Sequence, residues 1–183
     1  MKRLTFILLA IITVLALASC DNTVPQNDNP DNVEIVVKNP ACAEIAASVI
    51  ESFNINTDDF DYYSFDEEEK KLDEMIISLF YGDVESLEAP DFSYVSDYYL
   101  LVPVTTAATE IGIFKVDDTE NADEMKEYFS NRASARATTF APYNEEESKK
   151  AQNVQIASEG NYIWYIMTDN NLEIEAKILE AVK

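Results

Sequence analysis

The chain has 183 residues, of which 35 are Asp or Glu, 13 are Lys or Arg and none is His, for a formal charge of −22. A surface this acidic repels phosphate backbones and argues against a nucleic-acid partner. The lack of imidazole excludes Ser-His-Asp and Cys-His catalysis and any histidine metal site.

The first element is a targeting segment. Lys2 and Arg3 precede the apolar run Leu4–Leu17, and Leu17-Ala18-Ser19-Cys20 closes it with small residues before a cysteine. That order is a secretory signal ending in a lipoprotein box. The run is shorter than the roughly twenty residues a membrane span needs. Residues 1–19 are therefore expected to be removed, leaving Cys20 as a diacylglyceryl-bearing N-terminus at the extracytoplasmic face of the cell membrane. Two acyl chains suffice for stable anchoring. Residues 1–19 carry Lys2 and Arg3 and no acid, so the remainder sits at −24.

Residues 20–38 read as the lipidated terminus and a flexible linker: 21–32 is polar, contains two prolines and has no apolar period. A dozen flexible residues span roughly 20 Å, beyond the Debye length of about 8 Å at physiological salt. Val33–Lys38 reads as a short strand or the end of the tether. Residues 39–183 are expected to form one α+β domain.

Asn39 is the expected N-cap of a first helix with Pro40 at its first position. Ala43, Ala46, Ala47 and Ile50 lie near one face of it. Cys42 falls on this apolar pattern and reads as a small buried hydrophobe. With Cys20 lipidated it has no internal disulfide partner. Ile55–Phe65 is acidic and aromatic without a period. Asp66–Phe80 returns to helical spacing through Leu72, Met75, Ile76 and Leu79, and Gly82 stops it.

Two hairpins give the β signal. Tyr98–Val104 and Glu110–Val116 are joined by Thr105–Thr109, and Val154–Ala157 and Tyr162–Met167 by a turn containing Gly160 and Asn161. Pro103 places its strand at an edge or end. Between them, Glu120–Ala137 is helical with Ala122, Met125, Phe129 and Ala133 inward and Asp118 or Thr119 as cap. Asn144 with Glu147 forms a capping box for a short helix. Asn170 with Glu173 repeats it for a last helix, with Leu172, Ala176, Leu179 and Val182 inward. The fold class is α+β, a two-layer sandwich: an antiparallel sheet from hairpins at about 98–116 and 154–167, packed by helices on one face.

The stretch Glu110-Ile111-Gly112-Ile113-Phe114-Lys115-Val116, the long helix, Phe140-x-Pro142-Tyr143, Gly160-Asn161-Tyr162 and the closing helix together resemble a family of Gram-positive, clostridia-type lipoproteins known only as a domain of unknown function. The likeness covers about Met75–Val182, and Phe80-Tyr81-Gly82 is similar to the family's segment before its first hairpin. It implies an extracellular lipoprotein context and carries no catalytic or binding residue with it.

Candidate chemistry is sparse. Asp58-Asp59-Phe60-Asp61 and Asp66-Glu67-Glu68-Glu69 lack the glycine and alternating ligand spacing of a calcium loop. Asp66–Glu69 reads as the acidic first turn of a helix. Glu110 reads as an exposed strand-end glutamate, and Ser148-Lys149 are adjacent on a helix and so diverge. Three glycines form no phosphate-cradling loop. No catalytic residue, metal ligand, cofactor or nucleotide site is expected. If helices cover one face only, strand alternation leaves large aromatics on the other. Tyr98, Tyr162 and Trp164 are the candidate recognition surface for a glycan, peptide or envelope protein. The expected function is a non-enzymatic, membrane-anchored binding module, and the alternative is a carboxylate-dependent envelope hydrolase.

Overall fold

A computed structural model describes residues 38–82 and 89–183; the signal segment, Cys20 and the tether through Val37 lie outside the described residues. Five strands form one antiparallel sheet in the order β1-β2-β3-β5-β4, with β1 Phe60–Ser64, β2 Val95–Pro103, β3 Glu110–Val116, β4 Gln155–Glu159 and β5 Tyr162–Met167. The α+β class and both hairpins are as expected, and the limits of β3 and β5 coincide with the sequence reading. In the second hairpin, Gly160 adopts φ 56°, the position a two-residue turn gives to glycine.

Helices cover both faces of this sheet, not one. The helices α2 (Glu74–Tyr81), α3 (Ala122–Phe140) and α4 (Glu145–Gln152) pack on one face, around Phe114, Met125, Phe129, Ile163 and Tyr165. On the other, α1 (Cys42–Phe53) and α5 (Asn171–Val182) bury Ile45, Val49, Ile113, Trp164, Ile174 and Ile178. The result is three layers with a core on each side of the sheet. The physical reason lies in β5: all six of its residues are buried, and a strand buried on both faces reads as a continuous apolar run, not as an alternation.

Local chemistry accounts for most helix limits. Cys42, Ile45, Ala46 and Val49 make the buried i, i+3, i+4, i+7 stripe of α1, and Asn54 ends it at φ 49°. Its N-cap is Ala41, two residues later than expected, because Asn39 is engaged elsewhere. The Asn39 Oδ1 accepts from Lys115 Nζ at 2.6 Å and lies 3.2 Å from the Tyr162 hydroxyl oxygen. Ala41 N–H instead donates to Glu44 Oε2 at 3.2 Å, and Cys42 N–H to Asp97 Oδ2 at 2.7 Å.

The Ile55–Phe65 stretch yields β1, an edge strand that the sequence left without a period. Tyr63 packs toward α2 and Phe60 and Tyr62 toward α1, so apolar rings occupy both faces. The following helix is shorter than expected: Glu68–Lys70 is a 3₁₀ turn, and α2 begins after Asp73, whose carboxylate caps Ile76 N–H at 2.8 Å. Its buried side is Ile76, Ile77, Phe80 and Tyr81, leaving Met75 and Leu79 exposed. In α3, Ala122, Met125, Phe129 and Ala133 are all buried, as the spacing predicts. Asn144 caps α4 through Glu147 N–H at 3.2 Å. Asn170 makes no side-chain cap, and the buried stripe of α5 is Ile174, Ile178 and Val182, with Leu172 exposed.

Candidate functional site

The three aromatics expected to form one exposed row are buried and lie on opposite faces. Tyr98 is 7% exposed in the core beneath α2 and α3, and its oxygen accepts from Leu72 N–H at 2.7 Å. Tyr162 and Trp164, 5% and 0% exposed, lie in the core beneath α1 and α5. The Tyr162 hydroxyl donates to the Pro40 carbonyl at 2.6 Å. These residues staple the sheet to its helices and present no surface. Cys20, the expected lipidation site, lies outside the described residues.

The polar feature the sequence hid is at Glu110. Expected at an exposed strand end, it is fully buried at the start of β3. Arg132, on α3, clamps it with two parallel bonds, Nε to Oε1 at 3.0 Å and Nη2 to Oε2 at 2.9 Å. The Tyr165 hydroxyl donates to Oε1 at 2.5 Å, and Tyr81 from α2 stands 3.0 Å from the Tyr165 oxygen. Arg136, one turn beyond Arg132, has its Nε 3.9 Å from Glu110 Oε2 and donates through Nη2 to the Ala107 carbonyl. The Arg132 guanidinium also lies over the Phe80 ring at 4.3 Å.

One carboxylate thus ties together β3, β5, α2, α3 and the β2–β3 loop. Burial works against the Arg132 charge, but the facing carboxylate outweighs it and holds the guanidinium above its ordinary range. Burial lowers the Arg136 value, opposed by Glu110. The Tyr165 hydroxyl is pushed well up, by burial first and by the Glu110 charge second. Gly112 completes the arrangement. It pairs across strands with Tyr165, and a Cβ there would meet the Tyr165 ring at 2.3 Å and the Phe114 ring at 2.9 Å. The bare backbone of β3 lets the Tyr165 ring lie across it and reach Glu110.

Both oxygens of this carboxylate are occupied and neither meets solvent, so the cluster positions elements and does not present a reactive group. What it positions is the outer surface of α3. Residues 128–144 contain no acid in a chain with 35 of them. Along this stretch run two grooves lined by neutral side chains, most of them small. One, of about 470 Å³, lies between α3 and α4 and includes Ser130, Ser134, Thr138, Ala151 and Val154. The other, of about 550 Å³, lies between α2 and α3 and includes Leu79, Phe80, Asn131, Ala135 and Thr139.

A third groove, of about 730 Å³, is charged. Its floor holds Lys150, which pairs with Glu147 at 3.1 Å and Asp169 at 3.5 Å and donates to Thr109 Oγ1 at 3.2 Å. Glu147 Oε2 accepts the Ala108 N–H at 2.6 Å. Burial alone would raise the Glu147 pKa; the Ala108 N–H and Lys150 outweigh it and hold the carboxyl below its usual range. Glu147 and Arg136 thus grip neighbouring residues of the β2–β3 loop.

Each acidic stretch near β1 contributes one local ion pair: Asp61 with Lys70 at 2.7 Å and Glu68 with Lys71 at 2.7 Å. Among the described residues, no group of three or more His, Cys, Asp or Glu side chains could hold a metal ion, and no helix is long and apolar enough to cross a membrane. Cys42 is fully buried, and desolvation, followed by the charge of Asp97, pushes its thiol far up, which leaves it protonated and inert.

In the sequence, a lone acid opens a strand whose one other charge is Lys115, and two arginines four apart flank the apolar stripe Met125-Phe129-Ala133-Ala137. Neither observation alone says that they meet.

Residues 91–168 match a family described as a domain of unknown function (DUF4358). The matched segment runs from just before β2 to just past β5 and holds Glu110, Gly112, Arg132, Arg136 and Tyr165, while Tyr81 lies outside it. No curated protein and no solved structure matches the chain.

Proposed function

We propose that this chain is a lipid-anchored, extracytoplasmic binding module that engages an envelope component through the acid-free surface of α3. The anchor rests on the signal and lipoprotein box ending at Cys20. The binding reading rests on one observation: the buried charges centred on Glu110 tie α3 to the sheet, and α3 borders grooves of neutral side chains on an otherwise strongly acidic molecule. Rigid elements carrying a groove free of charge suit a peptide, a glycan or a partner protein, because binding there desolvates no unpaired ion. The exposed Leu79 gives the α2–α3 groove apolar surface.

Two features weigh against the carboxylate hydrolase. The Glu110 carboxylate is sealed and bidentately paired. In the charged groove, Glu147 is held below the usual carboxylate range, whereas a general acid needs its pKa raised toward the working pH.

Photocross-linking in native membranes tests the proposal. A benzophenone side chain at Ser134 should capture a discrete envelope component, and the same probe at the exposed Glu51 of α1 should not. Indifferent, diffuse labelling from both positions would refute it.

A further inference from the structure

The sheet has two outer strands, and they are finished differently. At β1, the Tyr62 N–H is taken by the Asp61 carboxylate at 2.8 Å, which also holds Lys70 at 2.7 Å. This is the charged blunting that keeps sheet edges from pairing. The other outer strand, β4, reads Gln155-Ile156-Ala157-Ser158-Glu159, and every residue in it is half-exposed.

The register decides which backbone groups β4 offers. The two-residue turn makes Glu159 and Tyr162 a hydrogen-bonded pair; Ala157 with Trp164 and Gln155 with Ile166 follow by alternation. Ile156 and Ser158 therefore turn their N–H and C=O groups away from β5. On either side of that edge, unpaired among the described residues, the surroundings differ. Ile156 packs on the α3 side, next to the neutral α3–α4 groove that Val154 lines. Gln155, Ala157 and Glu159 face α5, where Gln155 bonds Glu175 at 3.0 Å and Glu159 is paired with Lys183 at 3.2 Å.

Resting on the binding-module reading, we infer that β4 is the docking edge: it accepts an extended polypeptide as a sixth strand, with small apolar residues on one face and basic residues on the other. The backbone of Ile156 and Ser158 supplies the ladder bonds. Alternate side chains of the incoming strand fall on the α3 side, where small apolar groups fit the neutral groove, and on the α5 side, where Glu159 and Glu175 favour cations. A chain of formal charge −22 adds long-range attraction for a basic strand and repels a second copy of itself.

The test uses the purified full-length chain in detergent and a fluorescent peptide, Val-Lys-Ala-Lys-Val-Lys-Ala-Lys, with a control in which every lysine is glutamate. Binding is read by anisotropy and amide exchange. The lysine peptide should bind, slow exchange at Ile156 and Ser158 by about tenfold or more, and weaken with salt; the glutamate peptide should not bind. Ser158→Pro removes an outward N–H without touching the β5 ladder, and Glu159→Lys with Glu175→Lys reverses the local charge. Each should reduce affinity by about tenfold. Exchange slowed only on α3, equal binding of both peptides, or a dimer abolished by Ser158→Pro would overturn the inference. If the Ser134 probe still captures its component in Ser158→Pro, the edge proposal falls and the binding module stands. If neither peptide nor component is captured, both fall.

Discussion

Glu110 is the residue on which the interior turns. Moving a carboxylate out of water is repaid here by a bidentate guanidinium, a tyrosine hydroxyl and a second arginine nearby. Removing one partner strands the other, which costs about 3–5 kcal/mol, whereas replacing both by apolar groups costs far less. Glu110→Gln should therefore lower unfolding free energy by about 3–5 kcal/mol in urea titrations. The Glu110→Leu, Arg132→Met pair should lose less than the two single changes combined, a coupling that a double-mutant cycle reads directly. Gly112 makes a sharper steric prediction. The Tyr165 ring that an alanine Cβ would meet is pinned at its far end by Glu110 and Tyr81, so it cannot swing clear. Gly112→Ala should cost about 1–3 kcal/mol, the range of overpacked cores, seen as a lowered urea midpoint at unchanged slope.

At the scale of elements, the helix faces distinguish local pattern from tertiary choice. Hydrophobic spacing and capping signals located the helices, and the spacing placed the inward stripe of α3 correctly. It misplaced the stripes of α1, α2 and α5, where apolar residues occupy more than one side and packing chooses among them; in α1, Ala47 is exposed and Cys42, Ile45, Ala46 and Val49 are buried. In α5 the chosen stripe is Ile174, Ile178 and Val182, with Leu172 at 68% exposure. Leu172→Ser should thus change stability by less than about 0.5 kcal/mol, while Ile178→Ala should cost about 2–5 kcal/mol; thermal melts of the two variants check the contrast. Strands behaved likewise. The unbroken run Tyr162–Met167 signals two-sided burial, and the same run read as alternation produces an exposed aromatic row that the fold does not contain. The strand β1 was illegible because aromatic rings occupy both of its faces. The Glu110 cluster was illegible for a different reason: its partners come from four elements, and only the closed fold brings them together.

For the whole molecule, the buried hydroxyls and thiol set the alkaline limit. Cys42, Tyr81 and Tyr165 all have folded pKa values raised by burial above their ordinary 9.0 and 10.0. Below pH 9 these groups are protonated in both states and their stabilising contribution is complete. As pH climbs past about 9 for Cys42 and 10 for the tyrosines, the unfolded chain releases protons that the folded one keeps, and stability falls by up to about 1.4 kcal/mol per pH unit for each group. Urea midpoints should therefore hold steady across pH 7–8.5 and drop steeply above 10, and the Cys42 thiol should resist alkylation until the chain unfolds. The chain is strongly acidic, and its acid-free stretch runs along residues 128–144.

The most direct test of the anchored binding module follows lipid and partner in one sample. Cells carrying the Ser134 photoprobe are fed an alkyne palmitate, irradiated, fractionated and analysed for both label and adduct, alongside the Cys20→Ala variant. The account predicts palmitate label and one discrete adduct in the membrane fraction, with both lost in Cys20→Ala. An unlabelled chain in the soluble fraction, or an adduct that forms equally well without Cys20, would contradict it.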